Sequence, residues 1–107
     1  MKSTRPPTHL SSEAKEIWRG IVKEYSITDM AGLRILRIAL ESFDRAQAAR
    51  VQIDREGMTV IDKFKQTKSH PLLPIERDSR AAFLQGIKSL NLDLEPLKDI
   101  GRPAGGR

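Results

Sequence analysis

The run from Asp29 to Glu56 constrains this chain most, because its apolar residues return at steps of three and four throughout. At about 1.5 Å per residue this is a helix roughly 40 Å long, more than a small three-helix domain needs internally. Leu33, Leu36, Leu40 and Phe43 make one stripe, and Ile35, Ile38 and Ala39 widen it until burial on two sides is expected. Beyond Phe43 the pattern thins to Ala46, Ala48, Ala49, Val51 and Ile53, with Arg45, Arg50 and Arg55 set among Asp44, Asp54 and Glu56. Small side chains let helices approach closely, so Ala46, Ala49, Val51 and Ile53 are expected to meet a second copy of the chain.

A shorter helix precedes this rod. Ser11 or Ser12 caps it, Glu13 sits in its first turn where the helix dipole favours an anion, and Ala14, Ile17, Trp18, Ile21, Val22 and Tyr25 share one face. Trp18 reads as a core anchor. The opposite face, with Lys15, Glu16, Arg19, Lys23 and Glu24, reads as a solvated surface. Thr28 and Asp29 offer a fresh cap, so a turn of about three residues after Tyr25 joins the two helices as a tight pair. Residues 1–9 hold Pro6, Pro7 and little to bury, which predicts a flexible basic arm carrying Lys2 and Arg5.

Gly57 is placed to end the rod in a left-handed conformation. Thr59, Val60 and Ile61 then have strand propensity, and Gln66 to Ser69 can pair back across Asp62 to Lys65, giving a hairpin over about 58–69. Such a ribbon is marginal alone and must lean on a helix or a neighbouring chain, with Phe64 an apolar tip able to touch that neighbour. Pro71 or Pro74 opens a third helix with Ile75, Ala82, Phe83, Ile87 and Leu90 on its apolar face and a stop at Asn91. One helical domain over 10–92 results, followed by a tail over 93–107 in which Leu94, Pro96, Leu97 and Ile100 suit ordering on a partner.

Several function classes find no support. The chain of 107 residues has no cysteine, which excludes disulfides, thiolate metal sites and a thiol nucleophile. No glycine-rich phosphate loop and no Gly-x-Ser-x-Gly elbow occurs, so neither ATP hydrolysis nor triad catalysis is expected. His9 and His70 are too few for a metal cluster, and Glu41 with Asp44 reads better as an ion-pair face than as a metal site. His70 is expected to cap or pack beside the helix begun at Pro71. No cofactor is expected. No stretch approaches the ~18 apolar residues of a membrane span, and no leader is evident, so a cytoplasmic protein without membrane contact is the expectation.

Charge points elsewhere. A net charge of +5 and a pI near 9.9 favour a polyanionic partner, and double-stranded DNA fits because long cations reach phosphates. Three surfaces compete for that role: the arm with Lys2 and Arg5, the helix faces with Arg19, Lys23, Arg34 and Arg37, and the hairpin with Lys63, Lys65 and Lys68. Arg34 and Arg37, in the first turns of the second helix, give the first pair a helix-turn-helix-like character. A small transcription regulator or antitoxin-like dimer would use the same features, and a structural adaptor without a DNA role is a third reading.

In their order and spacing these fragments resemble the small terminase subunits of the P27 family, found in tailed phages and prophages. The similarity covers roughly residues 7–96. It rests on Leu10 and Ser11 before the helix of Trp18 and Tyr25, on Asp29, on Asp44 with Arg45, on Gly57, Val60 and Asp62, and on Lys68, His70 and Pro71 ahead of Glu76, Arg77, Asp78 and Arg80. Where relatives often place glycine in the hairpin turn, this chain has Asp62, Lys63, Phe64 and Lys65. The resemblance implies a mainly α fold with a small β-hairpin that assembles into a ring. It also implies a non-catalytic subunit that binds viral DNA and delivers it to a large terminase subunit holding the ATPase and nuclease.

Overall fold

A computed structural model describes residues 4–92. Three helices and one hairpin follow in order: α1 (Ser12–Tyr25), α2 (Met30–Glu56), β1 (Thr59–Ile61), β2 (Thr67–Ser69) and α3 (Leu72–Ser89). Lys2 and the tail over 93–107, with its partner-ordering segment, lie outside the described residues.

Local chemistry sets the boundaries. The Ser11 hydroxyl accepts from the Ala14 amide at 3.0 Å to start α1, and its own amide donates to Asp44 Oδ2 at 2.8 Å. Ser26, with φ 50°, turns the chain out of α1, and Ile27 tucks into the core behind it. Asp29 caps α2 through the Gly32 amide at 2.8 Å, as expected. Gly57 closes α2 at φ +90° and ψ 164°; φ is positive as expected, but ψ is extended rather than helical, a conformation that suits glycine alone.

The hairpin has the expected strands, in the register Thr59↔Ser69, Val60↔Lys68 and Ile61↔Thr67. Its turn is made without glycine. Asp62 Oδ1 accepts from the amides of Phe64 at 2.8 Å and Gln66 at 2.9 Å, while Lys65 takes the left-handed position at φ 63°. Those amide bonds, that of Gln66 foremost, hold the Asp62 carboxyl below its usual range. The two faces of the ribbon are nearly all exposed, with only Val60 half-buried.

The hairpin reverses the chain so that α3 runs antiparallel to α2. Phe43 and Phe83 meet with ring centroids 5.3 Å apart, Arg50 Nη2 lies 3.7 Å from Glu76 Oε2, and His70 Nε2 lies 2.7 Å from Glu56 Oε1. The seam on α2 consists of Ala39, Ser42, Ala46, Ala49 and Ile53, all buried, and α3 answers with Ser79 and Gly86. Helix α1 packs across one end, where Leu10, Ala14, Trp18, Leu36 and Leu40 form the core with Phe43, Phe83, Ile87 and Leu90 against it.

This packing corrects four expectations. Ala46, Ala49 and Ile53 are buried within the protomer, so they are not open to a second copy; the close approach that alanine permits is used by α3. Only Val51 of the α2 candidates is exposed, at 53%. Ile38, expected to widen the buried stripe, is 55% exposed because α1 and α3 together cover one side of α2 and leave its position open. On α3, Ile75 and Ala82 face outward, since the seam follows the small residues instead. The arm from Thr4 to His9 is docked: the Trp18 indole N–H donates to the Thr4 carbonyl at 2.7 Å, and Pro6 and Pro7 are half-buried.

Candidate nucleic-acid interface

Docking of the arm brings Arg5 to Arg34 and Arg37, which the sequence places on a different surface from the arm. A buried indole needs an acceptor for its N–H, and Trp18 finds one in the Thr4 carbonyl. Beyond Arg5 the chain turns at Pro7, whose carbonyl accepts from the Leu10 amide at 3.4 Å. Arg5 is thereby held beside Arg34 and Arg37 of α2 around a cleft of about 320 Å³, walled by Pro7, Trp18, Met30 and Leu33. Apolar walls lower the local dielectric, which strengthens the attraction of clustered guanidinium groups for an anion.

Arg37 is oriented from below. Its Nε–H donates to Glu41 Oε2 at 3.1 Å, and His9 Nε2 shares that oxygen at 2.8 Å. The His9 hydrogen bond first, then that of Arg37, holds the Glu41 carboxyl below its usual range. Asp44 is committed to Ser11, whose hydroxyl donates to Oδ1 at 2.5 Å. Glu41 and Asp44 thus have separate partners on one helix. Among the described residues no group of three or more His, Cys, Asp or Glu could hold a metal ion. No helix among them is long and apolar enough to cross a membrane.

The other candidates stand apart. Arg19 and Lys23 are exposed on α1 and do not line this cleft. Lys63, Lys65 and Lys68 surround the hairpin; Arg37 and Gly57 are separated by about 30 Å of helix at 1.5 Å per residue. There Lys63 Nζ lies 5.4 Å from the Phe64 ring centroid, and Lys68 Nζ lies 3.3 Å from Asp62 Oδ2. Lys68 is therefore partly neutralised.

Three further clefts are described. Arg45, Ala48, Gln52, Glu56, His70 and Ile75 contribute to one of about 490 Å³ at the base of the hairpin. Arg50, Ile53, Met58, Leu73, Glu76 and Arg80 contribute to one of about 320 Å³ on the other side of the α2–α3 seam. The last, of about 540 Å³, lies beside the start of α1 and is lined by Ser11, Glu13, Asp44, Gln47, Ala48 and Val51 with their neighbours.

The latch at His70 also escaped sequence reasoning in its detail. His70 is buried; Nδ1 accepts from the Leu72 amide at 3.0 Å, so Nε2 carries the proton and donates to Glu56. It both caps α3 and packs beside it. Its hydrogen bond holds the Glu56 carboxyl below the usual range. The sequence signal was a histidine directly before Pro71, whose ring supplies the acceptor that a capping Ser or Asp would otherwise give.

Neither a described family, nor a curated protein, nor a solved structure matches this chain.

Proposed function

We propose that this chain is a small terminase subunit: a non-catalytic protein of a tailed phage or prophage that binds double-stranded DNA as a ring. In the host cytoplasm it delivers viral DNA to the large terminase ATPase and nuclease and regulates it. The observation that carries the DNA-binding part is the cleft of Arg5, Arg34 and Arg37 at the first turns of α2, directly after the short turn from α1. Planar guanidinium forks match phosphate oxygens in pairs, and a helix-turn-helix arrangement offers the start of its second helix to a duplex. The order of motifs described in the sequence supports the terminase part, and the net charge of +5 supports a polyanionic ligand.

Phosphate contacts fix position without reading bases, so weak contacts repeated around an assembly would give useful avidity. The test is duplex binding across a salt series with native mass measurement. Replacing Arg34 and Arg37 by alanine is expected to weaken binding to all sequences and to lower the salt slope by about one per contact removed. An unchanged affinity and slope in a correctly assembled protein would exclude this cleft. A dimer bound only to a palindromic site would favour a transcription regulator over a packaging subunit.

A further inference from the structure

We infer that the hairpin tip of one copy inserts Phe64 into the cleft beside the α1 start of the next copy, against Val51, in a head-to-tail contact. This rests on the assembly part of the reading above and names the surfaces that would perform it. The knob is explicit: Phe64 is 70% exposed and Ile61 is 72% exposed, on a two-stranded ribbon that has almost no cover from its own protomer. A ribbon of that size is marginal in water, and large apolar side chains left together at its end mark a contact surface.

Charge selects the hole. Phe64 is flanked by Lys63 and Lys65. Of the four described clefts, the first is lined by Arg5, Arg34 and Arg37 with no carboxylate and would repel such a tip, while the next two are charge-balanced, Arg45 with Glu56 in one and Arg50 and Arg80 with Asp54 and Glu76 in the other. The fourth is lined by no lysine or arginine and has Glu13 and Asp44 among its residues, with Ala48 and the exposed Val51 as its apolar part. Apolar knob meets apolar floor, and lysine meets carboxylate. Knob and hole are different surfaces of one molecule, so wherever the contact is not returned within the same pair it is heterologous and propagates from copy to copy, closing into a ring when the rotation permits.

The test uses the full chain with Phe64→Glu and with Val51→Glu, both at exposed positions, each checked for helical content and examined by native mass spectrometry. Each variant alone is expected to run as a single chain of 12.1 kDa, because each lacks one half of the contact. Mixed, they are expected to give a species of twice that mass and nothing larger, since one intact hairpin meets one intact cleft. Phe64→Ala, which adds no charge, is expected to weaken assembly at least tenfold. Two wild-type results separate the failures. A single-chain wild type overturns the assembly reading together with this contact. An assembled wild type whose Glu variants stay assembled, or whose mixture stays at the single-chain mass, overturns only the contact. If Phe64→Glu keeps the assembly but loses duplex DNA, the tip belongs to DNA and the inference fails.

Discussion

Gly86 of α3 lies so close to Ala39 of α2 that a Cβ added at Gly86 would fall 2.7 Å from the Ala39 Cβ. Real side-chain carbons do not approach that closely, and the Ala39 Cβ has no rotamer by which to move away. The absence of a side chain at 86 therefore sets the spacing of the two longest helices.

Gly86→Ala is expected to destabilise the fold, although alanine favours a helix over glycine by about 1 kcal/mol. Overpacking at a tight core site costs ~1–3 kcal/mol, so the net loss is on the order of 1 kcal/mol. Urea unfolding followed by circular dichroism measures it. The double variant with Ala39→Gly should recover most of the loss, which would separate packing from propensity.

Lys65 occupies the left-handed position of the hairpin turn at φ 63°. An ordinary residue is penalised there by about 1–2 kcal/mol and glycine is not, so Lys65→Gly is expected to slow hydrogen exchange at the ribbon amides. Slower exchange at the Asp62 and His70 amides, which bond to Gln66 and Met58 carbonyls across the ribbon, is the readout.

The Glu56 carboxyl is held below its usual range by the hydrogen bond from His70. A carboxyl depressed in the folded state contributes stability that is complete above its ordinary value of 4.5 and is lost as pH falls through the lowered value. Glu56→Gln is therefore expected to lower stability at neutral pH, where the ionised pair contributes, and to change it little in acid, where that contribution is already lost, so the acid limb of the stability curve flattens. Thermal melts from about pH 3 to pH 7 test the sign, and an unchanged acid limb would show that the pair does not couple to folding.

Trp18→Phe retains the apolar ring and removes the N–H that binds the Thr4 carbonyl. The lost hydrogen bond is worth about 1 kcal/mol, and the arm that carries Arg5 loses its anchor. DNA affinity should fall about as far as it does for Arg5→Ala, and the double variant should be no worse than either. Additive losses in that cycle would mean that Arg5 does not depend on the anchor.

Much of this architecture was legible because its signals are local. The Ser11 and Asp29 caps, the Gly57 stop and the β-branched Thr59–Ile61 each act within a few residues, and the elements begin and end where they indicate. The α2–α3 seam was harder to read. Its α3 side is Ser79, Phe83 and Gly86, and hydrophobic periodicity does not mark serine or glycine, so it favours Ile75 and Ala82 in their place. The alanine stripe of α2 marks a site of close approach, but composition does not say whether the approaching helix belongs to the same chain. The arginine cleft was legible only in parts: Arg34 and Arg37 share a helix end, whereas Arg5 joins them through a tertiary hydrogen bond from Trp18.

A seam lined mostly by alanine, serine and glycine, with Gly86 against Ala39, brings the two rods so close that little slack is left for one to slide or roll against the other. The paired helices accordingly behave as a ruler, with the arginine cleft at one end and the lysine-flanked tip at the other. Removing one seven-residue repeat from each rod would shorten that ruler by about 10 Å while preserving the face that packs. Selection on the reach between the two ends would then act on helix length, and insertions in either rod would be tolerated only as matched pairs.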